Sequence, residues 1–136
     1  MTEHTVRAFD KELETLGRRI AEMGGIAEKM VSDGADALTR LDFDLARSTV
    51  AADPRLDTIQ REVEELAILT IARRQPLAVD LREIVGAIRV AGDLERVGDL
   101  AKNIAKRAIK IGAEPNIARA TVGLRHMQEL CNEQLK

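Results

Sequence analysis

Two pairs of acidic residues are the part of this sequence best suited to bind a ligand. Asp53 and Asp57 are four positions apart, and Glu95 and Asp99 have the same spacing. Residues four apart share one face of a helix, where like charges repel by roughly 0.2–0.5 kcal/mol per pair. A bound cation would remove this repulsion, and carboxylate oxygens suit Mg²⁺, Ca²⁺, Mn²⁺ and ferric iron. The four residues are therefore candidate metal ligands.

The spacing of these acids is also compatible with a solvated surface. Asp57 is followed four positions later by Arg61, and Asp99 is followed three positions later by Lys102. Ion pairs at such spacings are common on highly charged helices and contribute little to stability. Spacing alone favours a solvated surface over a metal site, because an acidic pair four residues apart is a weakly specific pattern.

The other residues that could do chemistry form no recognisable active site. His4 and His126 lack neighbouring ligands, and the Glu-x-x-His motif of di-iron bundles does not occur. Cys131 falls at an apolar position of the last segment, which predicts a small buried side chain and not a nucleophile. No Gly-rich loop follows a strand-like segment. We therefore expect that the protein is not an enzyme.

Length and composition restrict the class of protein. A chain of 136 residues with 32% charged side chains and only two aromatic ones is typical of one compact domain of packed helices. The net charge of −2 gives no basic field for a phosphate backbone, so we expect no nucleic-acid partner. No signal-peptide pattern and no apolar run of about 20 residues is present. We expect a cytoplasmic protein that meets the membrane only peripherally.

Apolar residues recur every three or four positions along three segments, residues 6–41, 56–70 and 77–111. This period predicts three long helices. We expect the second to start near Asp53, because Pro54 fits the first turn of a helix better than its interior. Long helices of this composition pack against one another, which predicts an all-α helical bundle.

Three further features indicate local structure. Residues 42–52 could form a short helix of their own before the second long one. Pro76 restricts Gln75 to extended conformations and so predicts a turn between the second and third helices. Gly24 and Gly25 interrupt the first helix, which predicts a bend or a close packing contact at that point.

A fourth segment, from Asn116 to Lys136, again has helical spacing, and we expect it to be an incomplete helix. Met127 and Cys131 fall on its apolar face, as Met23 and Met30 do on the first helix, which predicts core positions for them. An apolar face on a terminal helix needs a cover. We therefore expect an oligomer, with a homodimer as the simplest form.

Two longer sequence runs carry a resemblance to a known family. Residues 73–82, RRQPLAVDLR, and residues 93–104, DLERVGDLAKNI, resemble the first repeat of the PhoU family of phosphate transport regulators. Residues 9–13, FDKEL, and residues 23–25, MGG, resemble the start of that family's first helix. The similarity thus extends over nearly the whole chain, with the motifs in the family's order.

The resemblance implies an architecture and a metal site. Members of the family have two tandem three-helix bundles of the antiparallel, up-down, spectrin-like type. Residues 1–112 would therefore be one antiparallel three-helix bundle, and residues 113–136 the beginning of a second with a truncated helix. The family binds metal clusters through an acidic residue followed four positions later by Asp. Glu95 and Asp99 match this motif, Asp53 and Asp57 match its form, and Asp93 is a neighbour to consider.

The resemblance also implies a function. PhoU-type proteins are negative regulators that link a phosphate ABC transporter, through its ATPase subunit, to a sensor histidine kinase that controls the phosphate-starvation response. We therefore expect an adaptor with divalent or ferric ions, such as Mg, Mn or Fe, on an acidic face. The alternative is a structural or metal-binding oligomeric bundle without a signalling role.

Overall fold

The computed structural model describes residues 3–111 and 117–136, with side-chain surroundings for 6–111 and 123–136. Within these ranges every regular element is a helix, and the order along the chain is α1 (Glu3–Arg40), α2 (Phe43–Arg74), α3 (Ala78–Ile111) and α4 (Ile117–Leu135). The predicted all-α fold is confirmed. None of the described helices is both long and apolar enough to cross a membrane.

The first three helices form a bundle in which each packs against the other two, whereas α4 packs against α1. Only two residues join α1 to α2 and three join α2 to α3, so consecutive helices must run antiparallel. The predicted division into residues 1–112 and 113–136 stays a prediction. The sequence also predicts that Gly112 and Pro115 end the third helix, and both residues lie outside the described ranges.

Two groups of apolar side chains hold the bundle together. Full burial of a side chain of leucine or methionine size contributes about 1.5–3 kcal/mol. The larger group joins α1, α2 and α3 and consists of Leu16, Met23, Met30, Leu56, Ile59, Val63, Ala67, Ile84, Ala91 and Ala101. The smaller group consists of Ala37, Leu38, Ala46, Ala105 and Ala108. The core positions predicted for Met23 and Met30 are confirmed.

The predicted start of the second helix was wrong. A single helix, α2, begins at Phe43 and continues through Pro54 to Arg74. Asp42 caps its N-terminus by accepting a hydrogen bond from the backbone N–H of Leu45 at 3.1 Å. A proline inside a helix costs about 3 kcal/mol, and burial of the first turns of α2 against α1 offsets this cost.

Two residues with left-handed backbone conformation close the first two helices. Leu41 has φ 54° and Gln75 has φ 45°. The prediction of an extended Gln75 was therefore wrong. In the left-handed conformation its N–H donates to the Ile71 carbonyl at 3.1 Å, which satisfies a carbonyl at the end of α2.

Close packing occurs at glycines other than the predicted pair. At Gly24 and Gly25 an added Cβ would meet no atom within 4 Å, so no close contact needs a glycine there. At Gly98 an added Cβ would overlap Cδ2 of the fully buried Leu56. At Gly34 it would lie 3.1 Å from a backbone oxygen of α3. The close approaches are thus made by the second half of α1 and the middle of α3.

Several positions predicted to be apolar core are exposed. Met127 is 60% exposed and Cys131 is also exposed, so both predictions were wrong. The reason is that, within the described residues, α4 packs mainly along α1, and the side of α4 that carries Leu124 is the one turned towards the bundle. Leu77 is 84% exposed because it precedes α3 in the connection.

The packing at Gly98 leads to a stability prediction. Gly98→Ala is expected to destabilise the fold by about 1–3 kcal/mol, because the added methyl must displace a buried leucine. The matched control is Gly25→Ala, in open space within α1, which should stabilise by about 0.5–1 kcal/mol. Urea unfolding of the variants would measure both changes. A Gly98→Ala protein as stable as the control would contradict the close approach.

Candidate metal centre

Both acidic pairs flank a residue that packs at the α2–α3 interface. On α2, Asp53 and Asp57 lie three residues before and one residue after Leu56. On α3, Glu95 and Asp99 lie three residues before and one residue after Gly98. Leu56 packs directly over Gly98. Because residues three and four apart share a helix face, this packing turns both pairs towards one another.

The structure brings the predicted ligands together. Asp53, Glu95 and Asp99 each offer one carboxylate oxygen, and these three oxygens lie within 4.8 Å of one another. Asp57 lies within hydrogen-bonding reach of the Glu95 carboxyl group. Carboxylates from two helices therefore form one cluster, here called the acidic cluster: Asp53, Asp57, Glu95 and Asp99.

The members of the acidic cluster differ in burial. Asp53 is only 6% exposed, whereas the Asp99 side chain is 48% exposed. Burial of a carboxylate is unfavourable unless its oxygens are paired. Oδ1 of Asp53 is buried and has no hydrogen-bond partner. One side of the cluster thus lies inside the bundle with an unsatisfied oxygen, and the other side opens to solvent.

Lys102 provides a positive charge within the cluster. Its Nζ lies 2.8 Å from Oδ1 of Asp99 and 3.2 Å from Oδ2 of Asp53. Hydrogen bonds to Asp99 and then Asp53 raise the pKa of the lysine, so the ammonium form is favoured. The sequence predicted the contact with Asp99, one turn away, but not the contact with Asp53 on α2.

Glu95 is the acid of the cluster with a raised pKa. Burial raises the pKa of its carboxyl group most, followed by the hydrogen bond to Asp57 and by the charges of Asp57, Asp99 and Asp53. Each of these disfavours a further negative charge. Protonation of Glu95 is therefore one way for the cluster to lower its own repulsion, and a bound cation would be another.

The donor set fits a hard cation. It consists of carboxylate oxygens without His or Cys, and its oxygens converge closely enough for one ion to contact several of them. The unpaired Oδ1 of Asp53 is the kind of buried acceptor that such an ion would satisfy. These residues would hold Mg²⁺, Mn²⁺ or ferric iron, which would supply positive charge at the surface of the bundle.

Two other sequence expectations concern residues near the cluster. Asp93 is 70% exposed and forms an ion pair with Arg96 at 3.2 Å, so it is not part of the cluster. Among the residues that the structure describes, Asp57 makes no ion pair with Arg61. The prediction of solvated, ion-paired acids therefore fits the half-exposed Asp99 with Lys102, but it does not fit the buried Asp53.

Comparison with protein families places the acidic cluster in a known context. A family model described as the PhoU domain matches residues 20–108, which contain the whole cluster. The chain belongs to the PhoU family. The resemblance of residues 73–82 and 93–104 to that family is thereby confirmed.

Individual members of the family are similar to most of this chain. A phosphate-specific transport system accessory protein PhoU homologue from Rhizobium meliloti is 52% identical over 133 residues, 98% of this chain and 56% of that protein. A homologue from Caulobacter vibrioides is 46% identical over 100% of this chain and 59% of its own length. The crystal structure of PhoU from Pseudomonas aeruginosa has 35% identity and a TM-score of 0.89, over 93% of this chain and 61% of that chain. The chain thus spans somewhat more than half of the length of these relatives.

The raised pKa of Glu95 leads to a prediction about pH. The folded protein holds this proton more tightly than the unfolded chain, so ionisation of Glu95 above its raised pKa destabilises the fold. In metal-free buffer at neutral pH, Glu95→Gln should therefore raise the thermal unfolding midpoint. The difference in unfolding midpoint between Glu95→Gln and the parent should narrow as the pH falls through the raised pKa of Glu95 towards its ordinary value of 4.5.

Glu65→Gln is the control for this effect, because Glu65 is an exposed residue of α2 away from the cluster. It should leave the midpoint nearly unchanged across the same pH range. A Glu95→Gln protein that is less stable than the parent at neutral pH without metal would show that the ionised carboxylate is stabilising, which contradicts the prediction.

Proposed function

We propose that this chain acts as an accessory protein of phosphate transport, a negative regulator that couples a phosphate ABC transporter to a sensor histidine kinase. The partners are the transporter's ATPase subunit and the cytoplasmic part of the kinase, so the site of action is the cytoplasm. The protein works by binding and not by catalysis. The observation that carries this proposal is 52% identity to a phosphate-specific transport system accessory protein over 98% of the chain.

The acidic cluster has a specific role in this proposal. Three carboxylate oxygens within 4.8 Å and a buried, unpaired Asp53 oxygen support a site for a divalent or ferric ion. The ion would neutralise one face of the α2–α3 surface. Because like charge repels an acidic partner or an anionic membrane, the metal would control which surfaces approach this face.

A second candidate function is that of a structural oligomer. The outer side of α4 carries exposed Met127, Leu130 and Cys131, since the described part of α4 packs against α1 with its other side. Exposed apolar groups on one helix face favour self-association. A homodimer formed in this way is compatible with either function, but a purely structural protein would bind no transporter or kinase subunit.

Metal retention gives the first test. Equilibrium dialysis of the purified chain against Mn²⁺ should show retained metal, and the double variant Glu95→Gln/Asp99→Asn should lose it because two ligands are removed. The control is Asp80→Asn/Glu83→Gln, which removes the same charge from the first turns of α3. Equal retention by the two double variants would place the metal outside the acidic cluster.

Partner binding gives the second test. The chain should bind the ATPase subunit and the kinase's cytoplasmic region saturably, and Mn²⁺ should change the affinity. The relative from Rhizobium meliloti serves as the positive control, since 56% of its length matches this chain at 52% identity. Binding by that relative but not by this chain would assign partner recognition to parts of the relative outside the matched region. No binding by either would favour the structural oligomer.

A further inference from the structure

Lys102 already occupies the place that a cation would take in the acidic cluster. Its ammonium group donates to Oδ1 of Asp99 at 2.8 Å and to Oδ2 of Asp53 at 3.2 Å. Both acids belong to the three whose oxygens converge within 4.8 Å. The lysine therefore bridges α2 and α3 through the same carboxylates that would ligate a metal.

The lysine does not complete the site. Oδ1 of Asp53 is buried without a partner although Oδ2 of the same carboxylate accepts from Lys102. A single ammonium also brings only one positive charge to four carboxyl groups. Asp53 is 94% buried, since it is only 6% exposed, so its unpaired oxygen is a strong acceptor without water access. A cation of higher charge would satisfy this oxygen better than the ammonium does.

We propose that Lys102 is a built-in counter-ion that competes with the metal: it offsets part of the negative charge of the cluster when no metal is present and is displaced when a metal binds. This inference rests on the proposed metal site. Metal–oxygen distances are about 2.0–2.6 Å for Mg²⁺ and Ca²⁺. An ion bound to both Asp53 and Asp99 would therefore lie between their carboxylates, where the ammonium group of Lys102 now lies. Two positive charges cannot share these oxygens without strong repulsion.

The side chain of Lys102 is able to leave. It is 22% exposed, and a flexible four-carbon stem allows its head group to turn into solvent without a change in α3. Two consequences follow. When the metal leaves, the buried Asp53 still has the positive charge of Lys102 beside it, so the bundle stays folded. The metal must also work against an internal competitor, which lowers affinity and favours ions of high charge over monovalent ions.

Isothermal titration with Mn²⁺ tests the competition. Lys102→Met should bind Mn²⁺ roughly tenfold more tightly than the parent chain, a coupling within the range of about 5–150-fold found between linked ligands. Without metal, Lys102→Met should unfold at a lower temperature than the parent. Saturating Mn²⁺ should remove that difference, because the metal then replaces the missing charge.

Lys106→Met is the matched control, since Lys106 is an exposed lysine one turn further along α3. It should leave both the affinity and the metal-free midpoint unchanged. Equal or weaker Mn²⁺ binding by Lys102→Met, with clear binding by the parent, overturns the competition but leaves the metal site intact. No Mn²⁺ binding by the parent or either variant overturns the metal site and the competition together.

A measurement on the unaltered protein covers the case in which Lys102→Met does not fold. With lysines labelled at Cε, the NMR signal of Lys102 should shift as Mg²⁺ saturates the cluster, while that of Lys106 should not. Lys102→Gln, which keeps a hydrogen-bond donor but not the positive charge, can replace Lys102→Met in the isothermal titration with Mn²⁺. A Lys102 signal that stays unchanged at saturating Mg²⁺ would show that the ammonium remains in place, and would overturn the proposal.

Discussion

The contact between Leu56 and Gly98 is the constraint on which the candidate site depends. A Cβ on Gly98 would overlap Cδ2 of the fully buried Leu56, so any larger residue would force this leucine to shift or α3 to move away from α2. The carboxylates lie three residues before and one residue after each of these two residues. Any increase in the separation of the helices at this point would move the carboxylates of Asp53 and Asp99 apart. Packing between apolar groups thus fixes the geometry of a polar cluster.

Electrostatics work against this packing, which explains the composition of the cluster. Burial raises the pKa of Glu95 most, and repulsion between the four carboxyl groups at this helix interface raises it further. The ammonium of Lys102 offsets part of it and connects the two helices. The cluster therefore holds one positive charge of its own, yet retains an unpaired oxygen on Asp53 that favours a cation of higher charge.

Periodicity in the sequence was sufficient to predict the helices and the acids that share a face, because both depend on spacing within one helix. It did not predict contacts between helices, such as that of Lys102 with Asp53, since these depend on relative register. The start of α2 was misplaced because the preference of Pro54 for a first turn was outweighed by packing. Close packing was predicted at Gly24 and Gly25 but occurs at Gly98, because contacts between helices depend on their relative register. One pattern in the sequence is shared by the two sites of contact: an acid, a packing residue three positions later and a second acid directly after it. This pattern could have indicated that Leu56 and Gly98 face each other between the two acidic pairs.

The most direct measurement is X-ray diffraction from crystals of this chain grown with Mn²⁺, with data collected to reveal the anomalous signal of manganese. We predict an anomalous peak between α2 and α3, in contact with oxygens of Asp53, Glu95 and Asp99, with the Lys102 side chain turned towards solvent. A peak elsewhere, or an acidic cluster without a peak in which Lys102 still bridges Asp53 and Asp99, would contradict a metal centre at this interface.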